Sequence, residues 1–130
     1  MIAIGKTATA SSAVNEGSTA RAVGSGDLDV FATPMMVALM ERAACEALHG
    51  ALEAGQTSVG TQISVSHTAA SPLGSVITAT ATVTSATGRR VEFAVAASDE
   101  AGEIGSGTHV RVIVDEAKFM TKALETRKMP

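Results

Sequence analysis

From residue 58 onward, apolar side chains recur at every second position. Ser58 to Thr68 alternates, with Thr61, Ile63, Val65 and His67 in phase on one face. Ser75 to Ser85 is dense in Thr, Val and Ile. Val91, Phe93, Val95 and Ala97 alternate again, and Ile104 to Val114 forms a long final run. A period of two marks half-buried strands, so this half of the chain predicts four of them. Thr87-Gly88-Arg89 and Asp99-Glu100-Ala101-Gly102 are short enough to be hairpin connections. Upstream, the period changes. Thr33-Pro34 suits a helix start, with Thr as N-cap and Pro in the first turn, where its missing N–H costs nothing. Met35 to Leu52 contains helix-tolerant residues, and Gly50 and Gly55 mark a fraying end. Met35-Met36-Val37-Ala38-Leu39-Met40 is apolar on every side, which predicts a helix buried all round. Lys6 to Val14 reads as a strand. Glu16 to Asp29 has no period and carries Gly17, Gly24 and Gly26, a loop able to cover a site. A short charged helical tail is expected from about Asp115.

One buried helix followed by an antiparallel meander predicts an α+β fold, with a single-layer sheet around the helix and one domain over residues 1–130. Such a sheet has a free edge, which invites a homodimer through sheet continuation. Composition narrows the function. Apolar residues make up 45% of the 130, enough for one packed core. Three Phe with no Trp or Tyr exclude an aromatic platform for single-stranded nucleic acid. A net charge of −3 without a basic stripe argues against nucleic acid and anionic membrane as partners. Cys45 is the single cysteine, so no internal disulfide forms, in keeping with a reducing cytoplasm. Met1 to Ala10 lacks the charge-then-apolar pattern of a signal peptide, and Pro34 to Met40 is too short to cross a bilayer.

Three positions break the pattern. Glu41 shares its helix face with Val37, Ala38, Ala44, Cys45 and Leu48, none of them charged. A carboxylate there serves as an acid or base, or it lies at a crevice or pairs with an arginine. His67 is in phase with Ile63 and Val65. If their face meets the helix, it points towards Glu41 as a base-and-orienter pair; otherwise it is a satisfied core residue. Thr33 is either an N-cap alone or part of a site at the positive end of the helix, suited to a developing oxyanion. Pro34 has no N–H, so backbone donors there would come from Met35, Met36 or a neighbouring segment such as Gly60. Gly60, Gly105 and Gly107 mark close backbone or ligand approaches on strands. Arg42 reads as a solvated helix edge with Glu46 four residues on, Cys45 as a small core residue, and His109 as solvent-facing beside Arg111. The three histidines are too scattered for a metal cluster, and no dinucleotide fingerprint is present.

Phe31-Ala32-Thr33-Pro34-Met35-Met36-Val37-Ala38-Leu39-Met40-Glu41-Arg42-Ala43 resembles the central-helix signature of hot-dog thioesterases of the fluoroacetyl-CoA thioesterase-like family. Val59-Gly60-Thr61 and Ser66-His67-Thr68 resemble that family's next strand. Gly88-Arg89-Arg90-Val91-Glu92-Phe93 and Ile104-Gly105-Ser106-Gly107-Thr108-His109-Val110-Arg111 resemble its last two. Together these segments cover most of Phe31 to Val114. The resemblance implies a hot-dog fold, a dimer binding an acyl-CoA thioester at the subunit interface, and hydrolysis to free acid and CoA. It implies Thr33, Glu41 and His67 as the catalytic set and Gly60 and Arg111 as further site residues. No metal or prosthetic cofactor is implied; coenzyme A enters as part of the substrate. Whether Glu41 and His67 activate water or Glu41 attacks directly stays open, as do hydratase or dehydratase chemistry and a non-catalytic acyl-CoA-binding role. Fluoroacetyl-CoA-specific members carry a phenylalanine lid before the helix, whereas Val23 to Asp29 has no aromatic residue here. The expectation is therefore an acyl-CoA substrate other than fluoroacetyl-CoA.

Overall fold

The alternation from residue 58 onward becomes four strands of one five-stranded antiparallel sheet. The computed structural model describes residues 2–127. In chain order the elements are β1 (Thr7–Ala13), α1 (Ala20–Val23), α2 (Thr33–Leu48), β2 (Gln56–His67), β3 (Val76–Thr87), β4 (Arg90–Asp99), β5 (Gly102–Asp115) and α3 (Glu116–Thr126). The strand order is β1-β3-β4-β5-β2, so β1 and β2 are the edges. Gly88, at φ +60°, opens the two-residue turn between β3 and β4, a conformation open to glycine.

Helix α2 lies against β1 and β3 and also touches β4 and β2, so the sheet wraps it. Met36, Leu39, Met40, Ala43, Ala44, Ala47 and Leu48 are its buried residues, at the alternating three- and one-residue spacing of a single face. They meet Ala10, Ile77, Ala79, Ala81 and Val83 on the strands, where small alanines let the helix come close. Truncating a fully buried side chain such as Met36 or Leu48 to Ala would cost about 2–5 kcal/mol.

Several expectations are corrected here. The helix is not buried all round: Met35 and Val37 are half-buried, and Ala38 and Cys45 are exposed. The chain covers only one face of α2, and the uncovered side carries Met35, Val37 and Ala38 beside Glu41 and Arg42. The helix ends at Leu48, and Gly50 (φ +82°) follows in the left-handed turn. The loop before α2 contains the short helix α1, capped by the Thr19 hydroxyl, which accepts from the Ala22 N–H at 3.2 Å. Arg42 lies exposed, as expected for a helix edge, but has no ion pair with Glu46 among the described residues. No helix of the described residues is long and apolar enough to cross a membrane.

Candidate active site

Two groups of polar side chains sit along α2. The first is at its N-terminal end. Ala32, not Thr33, occupies the N-cap position, and no side chain caps the helix. The Thr33 side chain is used elsewhere: its hydroxyl shares a 2.8 Å hydrogen bond with Nδ1 of His67 at the end of β2. The other ring nitrogen of His67, Nε2, is buried without a hydrogen-bond partner among the described residues. Leaving a buried nitrogen unpaired costs about 1–3 kcal/mol. Burial is the main influence on the ring and lowers its pKa from the usual 6.5, with the Ala69 backbone partly opposing. Thr33 and His67 line an open cleft of about 250 Å³ with Ala20, Ser25, Val30 and Phe31.

The second group lies further along the helix. Arg111 on β5 places Nη1 3.6 Å from Oε2 of Glu41, with its side chain only 8% exposed against 40% for Glu41. The guanidinium is held from three more directions. Nε donates to the Ser58 hydroxyl (2.8 Å), Nη2 to the Ser58 carbonyl (3.1 Å) and Nη1 to Nε2 of His109 (3.1 Å). Gly60 faces this group: a Cβ there would lie 2.8 Å from Glu41 Oε2, 3.1 Å from His109 Cε1 and 3.3 Å from Arg111 Nη1. The side chains are aligned by a bulge in β2. The ladder to β5 shifts between Gly60 and Gln62, so Gly60, opposite Arg111, shares a face with Ile63, opposite His109.

The structure thus brings Glu41, Gly60 and Arg111 together, and separately Thr33 and His67. It does not pair His67 with Glu41; the histidine meets Thr33 and the carboxylate meets arginine. Thr33 and Glu41 are eight residues apart, about 12 Å of helical rise. Met35 and Met36 offer no free backbone donors, because both N–H groups donate to the Ala32 carbonyl at 3.0 Å. The Met36 side chain is wholly buried in the core, and Met35 lines a shallow groove with Phe31, Ala38 and Leu39. Thr61 is the extra residue of the bulge and has no partner in the ladder, so the simple alternation with Ile63 breaks there.

His109 reverses the expectation most sharply. It is 1% exposed, under Phe93 at 6.1 Å between ring centroids. Alternation gave no contrast on β5: Val110, Val112 and Val114 are apolar on one face and Ile113 on the other. Ser58 was likewise missed, since nothing local distinguishes it from a surface serine. Among the described residues no three or more His, Cys, Asp or Glu side chains group as metal ligands.

A family model described as fluoroacetyl-CoA-specific thioesterase matches residues 14–117. The fluoroacetyl-CoA thioesterase of Streptantibioticus cattleyicolor is 49% identical over 94 residues, covering 72% of this chain and 68% of that protein. The crystal structure of a point mutant of the fluoroacetyl-CoA-specific thioesterase FlK is similar with a TM-score of 0.91 and 39% identity, over 97% of this chain and 98% of that one. A Thermus thermophilus hypothetical protein described as a thioesterase superfamily member is similar with a TM-score of 0.88 and 30% identity, over 98% and 96%.

Proposed function

The chain belongs to the fluoroacetyl-CoA-specific thioesterase family, a hot-dog-fold family of thioester hydrolases, and from that premise we propose that it works as a homodimer hydrolysing an acyl-CoA other than fluoroacetyl-CoA. The observation that carries this reading is the Thr33–His67 hydrogen bond at the N-terminal end of α2, with His67 Nε2 left open. The thioester carbonyl lies against Thr33, where the hydroxyl and the positive helix end stabilise the developing oxyanion. Glu41 takes a proton from a water whose oxygen bonds to the carbonyl carbon. Neutral His67 assists by accepting a hydrogen bond from that water; the tetrahedral intermediate collapses, the carbon–sulfur bond breaks, and the proton held by Glu41 passes to the departing thiolate, which leaves as coenzyme A.

The separation of Thr33 from Glu41 suits a two-fold dimer. In it, the Thr33–His67 pair of one protomer faces Glu41 of the partner subunit across the thioester. Two features support that arrangement: the free edge of β2 and the uncovered apolar face of α2. The acyl preference rests on the lid. Residues 16–29 contain no aromatic side chain, and the aromatic residue lining the cleft, Phe31, is 3% exposed and committed to the core. An entrance of small residues admits acyl groups that an aromatic lid would exclude.

The test is free-thiol release from a panel of acyl-CoAs, fluoroacetyl-CoA included, by wild type and by Glu41→Gln. Turnover that falls at least tenfold to a hundredfold in the variant is expected, about what one acid or base supplies. Full activity in Glu41→Gln, or no turnover of any ester by a folded protein, would overturn the assignment. A preference for fluoroacetyl-CoA over every other ester would overturn the specificity alone.

A further inference from the structure

The arginine that neighbours Glu41 has its own fixed support, and the chemistry of that support is determined. Arginine carries only donors. The 3.1 Å contact between Arg111 Nη1 and His109 Nε2 therefore requires a lone pair on Nε2. The imidazole proton then resides on Nδ1, which faces the Gln62 carbonyl at 2.7 Å, an acceptor. Two independent contacts thus select the same neutral tautomer. Gln62 belongs to the β2 bulge that also places Gly60 beside Glu41, so one ring ties the bulge to the guanidinium. With Nε and Nη2 both on Ser58, the plane of Arg111 is held on three sides, and its Nη1 is shared between His109 and Glu41.

We infer that His109 is a positioning residue: held neutral with its proton on Nδ1, it fixes Arg111 and, through Arg111, the carboxylate of Glu41. The inference rests on the reading that Glu41 acts on the thioester. The surroundings favour the neutral ring. Burial is the chief cause of its lowered pKa and Arg111 adds to it, while the Gln62 carbonyl and Glu41 oppose. Protonation at Nε2 would place a donor against a donor and a cation against a cation.

The experiment compares wild type, His109→Gln, His109→Phe and Glu41→Gln as full-length proteins, reading kcat, KM and Tm on the best acyl-CoA. Glutamine offers one acceptor and one donor at nearly the spacing of the two ring nitrogens. Phenylalanine preserves the ring and its stacking on Phe93 but accepts nothing from Arg111. The expected result is that His109→Gln stays within about threefold of wild type in kcat and His109→Phe loses at least about tenfold, with KM little changed, as for a misplaced catalytic group. A packing role predicts the reverse order, with Phe above Gln, and that order overturns the inference. So does full activity in His109→Phe while Glu41→Gln collapses, a result that leaves the thioesterase reading standing. Nitrogen NMR of the three histidines gives a readout independent of activity, and the His109 signal is identified by its loss in His109→Gln. A neutral ring protonated on Nδ1 at pH 7 supports the inference, whereas the Nε2-protonated tautomer or an imidazolium overturns it. If His109→Phe fails to fold, or wild type turns over no ester, this spectrum decides the geometry on its own.

Discussion

At His67, burial disfavours the charged ring, and the Thr33 hydroxyl holds Nδ1. Its folded pKa is below the usual 6.5, so the charged form is the disfavoured one. The sign for activity follows. A reaction that needs neutral His67 falls as pH drops through this lowered value and is level above about 6.5. The acid limb of kcat/KM measures it in the free enzyme, and a profile still declining well above pH 6.5 would contradict the assignment. His67→Ala should lose at least about tenfold to a hundredfold in turnover. Stability has the same sign. His67 and His109 are both lowered chiefly by burial, so the unfolded chain binds protons more readily than the fold does. Stability from these two groups is complete above their ordinary pKa and is lost as pH falls from there towards the folded values. Melting temperature should accordingly fall between pH 7 and 5, and an unchanged value would count against their burial.

At the scale of elements, glycines let the strands approach and shape the site. A Cβ at Gly105 would lie 2.6 Å from the Ser66 carbonyl and 2.7 Å from Met36 Sδ, where β5, β2 and α2 converge beside His67. At Gly107 it would overlap the Ser64 carbonyl and lie 2.7 Å from Val65 Cα. At both positions the nearest obstacle is a backbone carbonyl, so Ala at either should lower stability. Gly60 differs, because its neighbours are the tips of Glu41, His109 and Arg111. Gly60→Ala should therefore keep a near-normal Tm but lose at least about tenfold in turnover by displacing the carboxylate. A large drop in Tm with activity per folded molecule unchanged would reverse that ranking. The bulge beside Gly60 is also why simple alternation failed on β2: one extra residue exchanges the faces of every position before it.

For the whole molecule, the question is which protomer supplies Glu41. If Thr33 and His67 act with Glu41 of the partner subunit, co-expressing Glu41→Gln with His67→Ala restores one intact site in each mixed dimer. With random assembly, activity should return to about a quarter of wild type from two nearly inactive parents. No recovery, with mixed dimers verified by mass, would place the complete set within one protomer. The same dimer should cover the apolar face of α2 that a single chain leaves open. A monomeric protein at working concentration would remove that explanation for Met35, Val37 and Ala38.

By itself, the sequence determined the strands from residue 58 onward, the helix start at Thr33-Pro34, the hairpin turns and the close approaches at Gly60, Gly105 and Gly107. Each follows from local spacing, turn chemistry or the absence of a side chain, all of which act over a few residues. It also singled out Glu41 and His67, because a polar group on an apolar face is a local anomaly. The tertiary structure decided which groups meet. It joined Thr33 to His67 and Glu41 to Arg111, buried His109, exposed Cys45, and turned the Met35 and Met36 N–H groups into the helix. Those outcomes depend on the bulge in β2, the order of strands in the sheet and the choice of which α2 face packs on β1 and β3. None is legible from spacing along one chain, because each joins residues distant in sequence whose partners only the assembled sheet selects.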